Sequence, residues 1–326
     1  MKKKFSQMSV GEEVDVELLL LSFEVKQGKN GAFTLLKVSD GEANCDVRYW
    51  GDISQVNGVS AHSIITVQLK ADTYQGSMNF TSSAVRPYSG TDAVLGDFVI
   101  MPPVDIDEMY NYIIDTLTRE SVAAQNVIYS NDGRNEPISN IALSLIQNNS
   151  EVFKRSVAAV SVHHNIYGGL LYHTYGMVKA AEGLASAMPF VDRELLITGC
   201  AIHDIGKIYT YTTDDIGAGN LNNLEILDGH LAIGYAAVSR ESRNHACAQE
   251  RVHLLQHMVA SHHGKPEWGS IVKPSTPEAF LLFAIDYIDS RMYMYREAQN
   301  SVAPGEYSPK IFGLDSASVY RPTYLN

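Results

Sequence analysis

Cysteine is scarce in this chain: three residues in 326, at positions 45, 200 and 247. The number is odd and no two form a CxxC pair, which argues against a disulfide framework and a cysteine zinc site. A reducing, cytoplasmic setting is the expectation, with Cys200 read as a small core residue. No apolar run approaches the ~20 residues needed to cross a bilayer. The longest near the start, residues 18–21, is strand-sized. No apolar stretch follows MKKKFSQM, so neither a signal peptide nor a membrane partner is expected. Basic charge is also short: Lys+Arg 25 against Asp+Glu 37, a net charge of -12. A generic nucleic-acid binder carries a basic patch, so a polyanionic substrate here needs a local basic path or metal ions. Most of the acidic excess lies beyond residue 100, with 25 Asp+Glu against 16 Lys+Arg. A site that gathers cations and plain solubility account for it equally well.

The chain is long enough for two domains and is 45% hydrophobic, as globular chains are. Residues 11–88 read as strands. VDVELLLLSFEVKQ ends at GKNG, a hairpin signal, and AFTLLKVSD, NCDVRYW, SIITVQLKADTY and MNFTSSAVRPY follow between polar turns. Five short strands predict a small closed barrel of the OB type, with an SH3-like barrel as the competing form. Pro102-Pro103 breaks the pattern, and helical spacing takes over from Asp105, a candidate N-cap. The expected class is α+β in two domains: a barrel over 1–90, a linker over 91–105 and an all-α domain over 106–326. Helical patterns run over 137–148, 151–160, 167–187, 193–206, 229–242, 248–262 and 276–299.

Ten of the eleven histidines lie in the second domain. His173 sits in GGLLYHTYGMV, His203 and Asp204 in AIHDIGK, His230 in LDGHLAIG, His262 and His263 in VASHHGKPEWGS, and Asp286 in LLFAIDYIDSRM. Each has an ordinary reading when taken alone. His173 would be a satisfied core histidine, His230 a residue near a helix start, Asp286 a partner for Arg291, and Gly206 a helix stop. Their co-occurrence is harder to explain that way. Ligand-type residues flanked by Leu, Ile, Val and Ala recur in five segments, and burying them unpaired is costly. One metal cluster satisfies them together. Imidazole plus carboxylate without thiolate suits Mn, Fe, Co, Ni or Zn better than Mg or Ca. Seven ligands exceed the need of one tetrahedral ion. They suit two ions bridged by Asp204, a clamp for phosphoester hydrolysis.

The ordered set His173 … His203-Asp204 … His230 … His262-His263 … Asp286 resembles the HD superfamily of metal phosphohydrolases. NIYGGLLYHTYGMV, AIHDIGKIY, GHLAIG, SHHGKPEWGS and AIDYIDSRM, behind an OB-like barrel, resemble the YhaM-type 3′→5′ exoribonucleases over residues 11–320. The resemblance implies a 3′→5′ exoribonuclease with two divalent ions, manganese first among them. It implies single-stranded RNA as substrate, with single-stranded DNA a further candidate, and a homo-oligomer. His173, His203, Asp204 and Asp286 match the core ligands, and His230 and His262 the pair added in two-metal members. His263 becomes a third added ligand or a neighbour that orients one. Lys207 matches the lysine that contacts the scissile phosphate. Charge alone gives Lys207 the same role, one helical turn beyond Asp204. The sequence departs at Phe283, where the resemblance leads one to expect histidine.

An OB barrel binds single strands by stacking bases on aromatic rings. Tyr49 and Trp50 are neighbours on a strand, so at most one of them faces a groove. Phe33 and Tyr74 are the expected stacking residues, with Lys29 and Arg48 as phosphate contacts. Two other functions remain open at this stage: a phosphohydrolase of small nucleotides, such as dNTPs or cyclic nucleotides, and a nucleic-acid-binding protein with a vestigial site.

Overall fold

A computed structural model describes residues 3–28, 31–74, 77–159, 166–214, 216–217 and 219–324. The chain divides into two compact units, Met1–Met101 and Pro102–Asn326.

The first unit is a closed five-stranded barrel. Its strands are β1 (Glu13–Gly28), β2 (Gly31–Ser39), β3 (Asn44–Tyr49), β4 (Ser63–Tyr74) and β5 (Ser77–Pro87), in the order β1-β2-β3-β5-β4. Alternation builds the interior: Val16, Leu18, Leu20, Leu36, Val38, Val47, Ile65, Val67 and Leu69 are buried in one cluster. Closure makes every strand serve two partners. β1 does so by pairing β4 over 13–20 and β2 over 19–28, with a register shift between Leu20 and Ser22 that lets it bend. Parallel pairing of β3 with β5 shuts the other side. Gly28 pairs with Gly31 across the expected hairpin turn, and Lys29 lies outside the described residues. Part of the stretch read as a linker packs with this unit. Residues 95–98 form a 3-10 turn, Phe98 is buried, and its carbonyl accepts a 2.7 Å hydrogen bond from Ser39 Oγ.

The second unit is mainly helical: α1 (Ile106–Ala124), α2 (Ser139–Asn148), α3 (Ser150–Arg155), α4 (Gly169–Ala187), α5 (Arg193–Ile202), α6 (Lys207–Thr210), α7 (Asn223–Leu227), α8 (Gly229–Glu241), α9 (Gln249–Ser261) and α10 (Pro277–Asn300). Asp105 accepts from the amides of Asp107 and Glu108 and so caps α1 as expected. α5 is buried from Glu194 to Ile202 and forms the axis around which the others pack. Two segments differ from the sequence expectation here, and a third does at the end of α5. The helix expected over 151–160 ends at Arg155, because Ser156 turns extended. The Asn-rich segment before His230 holds a two-stranded ribbon, β6 (Tyr211–Thr213) with β7 (Gly219–Leu221), and then α7. Asn222 caps α7 through its side-chain oxygen and donates Nδ2–H to the Tyr209 carbonyl. No described helix is long and apolar enough to cross a membrane.

Candidate metal centre

The helix expected over 193–206 stops at Ile202, and residues 203–206 form the turn between α5 and α6. That turn presents His203 and Asp204 at the end of the buried central helix. Gly206 does not stop the helix through a left-handed conformation, since its φ is -59°. Its role is close approach. A Cβ there would lie 2.0 Å from the His230 carbonyl oxygen, so only glycine lets the start of α8 reach the His203-Asp204 turn.

Seven side chains named from the sequence converge here. His173 comes from α4, His230 from α8, His262 and His263 from the end of α9, and Asp286 from α10. Their ligand atoms fall into three groups, each within 4.8 Å: His173, His203 and Asp204; His203, His262 and Asp286; and His230, His262 and His263. Asp204 lies between two sets of imidazoles. Its Oδ2 is 3.3 Å from His203 Nε2 and 3.9 Å from His173 Nε2. Its Oδ1 is 3.4 Å from His262 Nε2 and 3.5 Å from His230 Nε2. Asp286 Oδ1 stands 3.4 Å from His173 Nε2. Arg291, its alternative partner by sequence, instead pairs with Asp315 at 3.2 Å.

The tautomers follow from the outer partners. His203 Nδ1 lies 3.0 Å from the Cys200 carbonyl and His262 Nδ1 2.8 Å from that of Val259. A carbonyl only accepts, so both Nδ1 atoms carry the proton and both Nε2 atoms present a lone pair. His173 and His230 are oriented through Nδ1 as well, by Asp289 at 2.7 Å and Glu225 at 2.8 Å. Four Nε2 atoms therefore point at one carboxylate. His173 Nε2 and His203 Nε2 are 3.2 Å apart. Asp204 Oδ1, His230 Nε2, His262 Nε2 and His263 Nδ1 are buried without a hydrogen-bond partner. Lone pairs facing lone pairs in a buried site repel unless a cation stands among them. The donor set thus fits divalent transition metal, with the carboxylate–histidine arrangement such sites use.

Protonation agrees. Burial, with His203 and His230 as neighbours, pushes His262 down to about 4. Burial and the adjacent His262 and His230 push His263 down to about 3. Both rings are neutral at neutral pH. Burial opposes charge on His173, but Asp289, then Asp286 and Asp204, prevail and raise it above the ordinary histidine value. Burial likewise opposes charge on Asp204, yet Lys207 and His203 hold it well below the usual carboxylate range. Lys207 donates to Asp204 Oδ2 at 2.6 Å and stays protonated despite its burial. A raised His173 must give up its proton for Nε2 to bind metal. Binding of a divalent metal at neutral pH is therefore expected to release a proton and to weaken as pH falls. Calorimetry in buffers of different ionisation heat measures this. Asp289→Asn, which removes the strongest of the raising partners, should shrink the release; an unchanged release would refute the assignment.

The cluster opens into a cleft of about 310 Å³ whose lining includes Asp204, Lys207, His230, His263, Trp268, Phe283, Asp286 and Tyr287. The sequence reading missed Asp289 and Glu225. The only signal for Asp289 was its place one helical turn after Asp286.

In the barrel, Phe33 and Arg48 share the outer face of β2 and β3, where Arg48 pairs with Leu35 in register. Tyr49 packs partly against the core, and Trp50, 51% exposed, lies 5.6 Å from the Phe33 ring. Trp50 thus stands exposed beside Phe33, a neighbour the sequence reading did not select. The Tyr74 side chain lies outside the described residues, although its backbone closes the β4–β5 hairpin opposite Ser77.

The helical unit matches the HD domain model over residues 170–291 and so carries an HD domain. Three curated relatives, each called 3′-5′ exoribonuclease YhaM, align over 99% of this chain and 99% of their own. They come from Bacillus subtilis (strain 168), Bacillus licheniformis and Bacillus pumilus (strain SAFR-032), at 32%, 31% and 30% identity. The chain belongs to the YhaM family of exoribonucleases. Among solved structures, the second OB-fold domain of replication protein A from Methanococcus maripaludis covers 28% of this chain and 98% of its own, with 11% identity. Its TM-score is 0.24, and the barrel assignment rests on the strand order instead.

Proposed function

We propose that this protein removes nucleotides one at a time from the 3′ end of single-stranded RNA, releasing nucleoside 5′-monophosphates. The observation that carries the chemistry is the convergence of four imidazole Nε2 atoms on the two oxygens of Asp204. His173, His203, Asp204 and Asp286 would hold one divalent ion; Asp204, His230, His262 and His263 would hold a second. Bound there, such ions polarise phosphoryl oxygens and lower the pKa of water. Manganese is the activator we expect. Lys207 keeps its proton and sets a positive charge in the cleft for the scissile phosphate. The name of the relatives supports RNA as substrate and the 3′ end as the point of attack.

The barrel binds the strand. Phe33 and Trp50 stack bases, which needs no net positive charge, and Arg48 supplies a local cation for phosphate. Trp50→Ala should weaken binding of single-stranded RNA about tenfold, within the range for one lost stacking ring; unchanged affinity by fluorescence anisotropy would remove the barrel face from the reading. We also expect the protein to act as a homo-oligomer.

A time course on 5′-labelled single-stranded RNA with manganese tests the whole. A ladder shortening from the 3′ end, with mononucleotides as co-products, is expected. No shortening by metal-loaded protein would refute this and move the assignment to hydrolysis of small nucleotides.

A further inference from the structure

Beside the metal centre stands an aromatic wall that the hydrolytic chemistry does not use. Trp268 and Tyr287 are stacked, with ring centroids 5.8 Å apart and an interplanar angle of 9°. Phe283 packs behind them, 6.1 Å from Trp268 and 6.0 Å from Tyr287. The two front rings are not core residues: Trp268 is 45% exposed and Tyr287 37%. Cations flank both. Lys265 Nζ lies 4.3 Å from the Trp268 ring centre, and Arg291 Cζ 4.3 Å from that of Tyr287. The wall and the ligands share one cleft and are chain neighbours. Tyr287 directly follows Asp286, and Trp268 is five residues beyond His263.

Exposed rings cost free energy in water, and a planar, cation-flanked pair suits a planar partner. A nucleobase is such a partner when its phosphate lies at the adjoining metal centre. Every base has a π-face, so stacking grips all four without reading sequence, as a trimming nuclease requires. A terminal base is also stacked on one side only and gives up least in moving to a protein ring.

We propose that Trp268 and Tyr287 form the subsite for the base of the 3′-terminal nucleotide and hold its phosphate in register with Lys207. This rests on the exoribonuclease reading for its substrate. Phe283 completes the apolar backing of that subsite. Gly264, whose added Cβ would meet Phe283 Cδ2 at 2.4 Å, leaves room for the ring.

The test compares the full-length wild type with Trp268→Ala, Tyr287→Ala and the conservative Trp268→Phe. The substrates are RNA of one sequence with an intact 3′ end, with an abasic 3′-terminal nucleotide, and with an abasic penultimate one. Each alanine variant should raise KM on intact RNA about tenfold, the scale of one stacking contact. The terminal abasic substrate should cost the wild type a similar factor and the variants nothing further, while Trp268→Phe recovers most of the loss. Equal losses on intact and abasic ends would show a structural role and overturn the proposal. Sensitivity to the penultimate abasic site instead would overturn the assignment to the terminal base. If the wild type shortens no RNA, the exoribonuclease reading fails, and fluorescence then decides the subsite alone. In Trp50→Phe protein, Trp268 is the sole tryptophan. Quenching by AMP but not by ribose 5-phosphate sustains the subsite; no quenching by AMP refutes it.

Discussion

Asp204→Asn should lower hydrolysis on the order of 10³-fold, the upper range for losing one principal electrostatic group in an active site. The substitution keeps shape and removes charge. Both oxygens of the carboxylate are committed, Oδ2 toward His173, His203 and Lys207, Oδ1 toward His230 and His262. An amide can offer one oxygen to one side only. Metal content should therefore fall from the proposed two ions per chain to at most one, read by elemental analysis beside the rate. Asp286→Asn is the control, since Asp286 approaches the set on the His173 side. It should cost less and leave the ion near His230 in place. An Asp204→Asn protein that keeps two ions and full rate would overturn the bridging role.

Gly206→Ala is expected to have the largest effect of any single methyl group. The added Cβ would sit 2.0 Å from the His230 oxygen, 2.8 Å from its carbonyl carbon and 2.9 Å from Gly234 N. These are backbone atoms and cannot rotate aside. α8 must retreat, taking His230 with it. Overpacking of this kind costs about 1–3 kcal/mol or more, and the displaced ligand should cost activity besides. Gly183, inside α4 one turn before its end, has nothing within 4 Å of an added Cβ. Gly183→Ala should be neutral or stabilise by about 0.5–1 kcal/mol, because alanine suits a helix interior better. Urea midpoints and metal content measure both. Wild-type stability with two ions in Gly206→Ala would refute the close-approach argument.

The barrel was legible because its strands alternate, with Leu18, Leu20, Leu36, Val38 and Val47 falling on one face. The histidine set was legible because ligand-type residues stood out against apolar flanks. Asp289 and Glu225 were not, since an orienting carboxylate gains meaning only once the ring it touches has been placed. Trp50 was passed over because alternation shows that neighbours face opposite ways, not which one faces out. The ribbon β6–β7 went unread because it lies between the helical patterns over 193–206 and 229–242 and its strands are three residues each. Gly206 was read as a stop because sequence does not reveal which backbone passes beside it.

The outer partners of the four converging histidines divide into two kinds. Main-chain carbonyls of Cys200 and Val259 fix His203 and His262, whereas side chains of Asp289 and Glu225 fix His173 and His230. A carbonyl survives any replacement of its own side chain, so two of these imidazoles are sheltered from mutation. The other two are adjustable. Drift in metal preference, whether natural or selected in the laboratory, has its entry points at positions 225 and 289, outside the set of residues that would touch the metal.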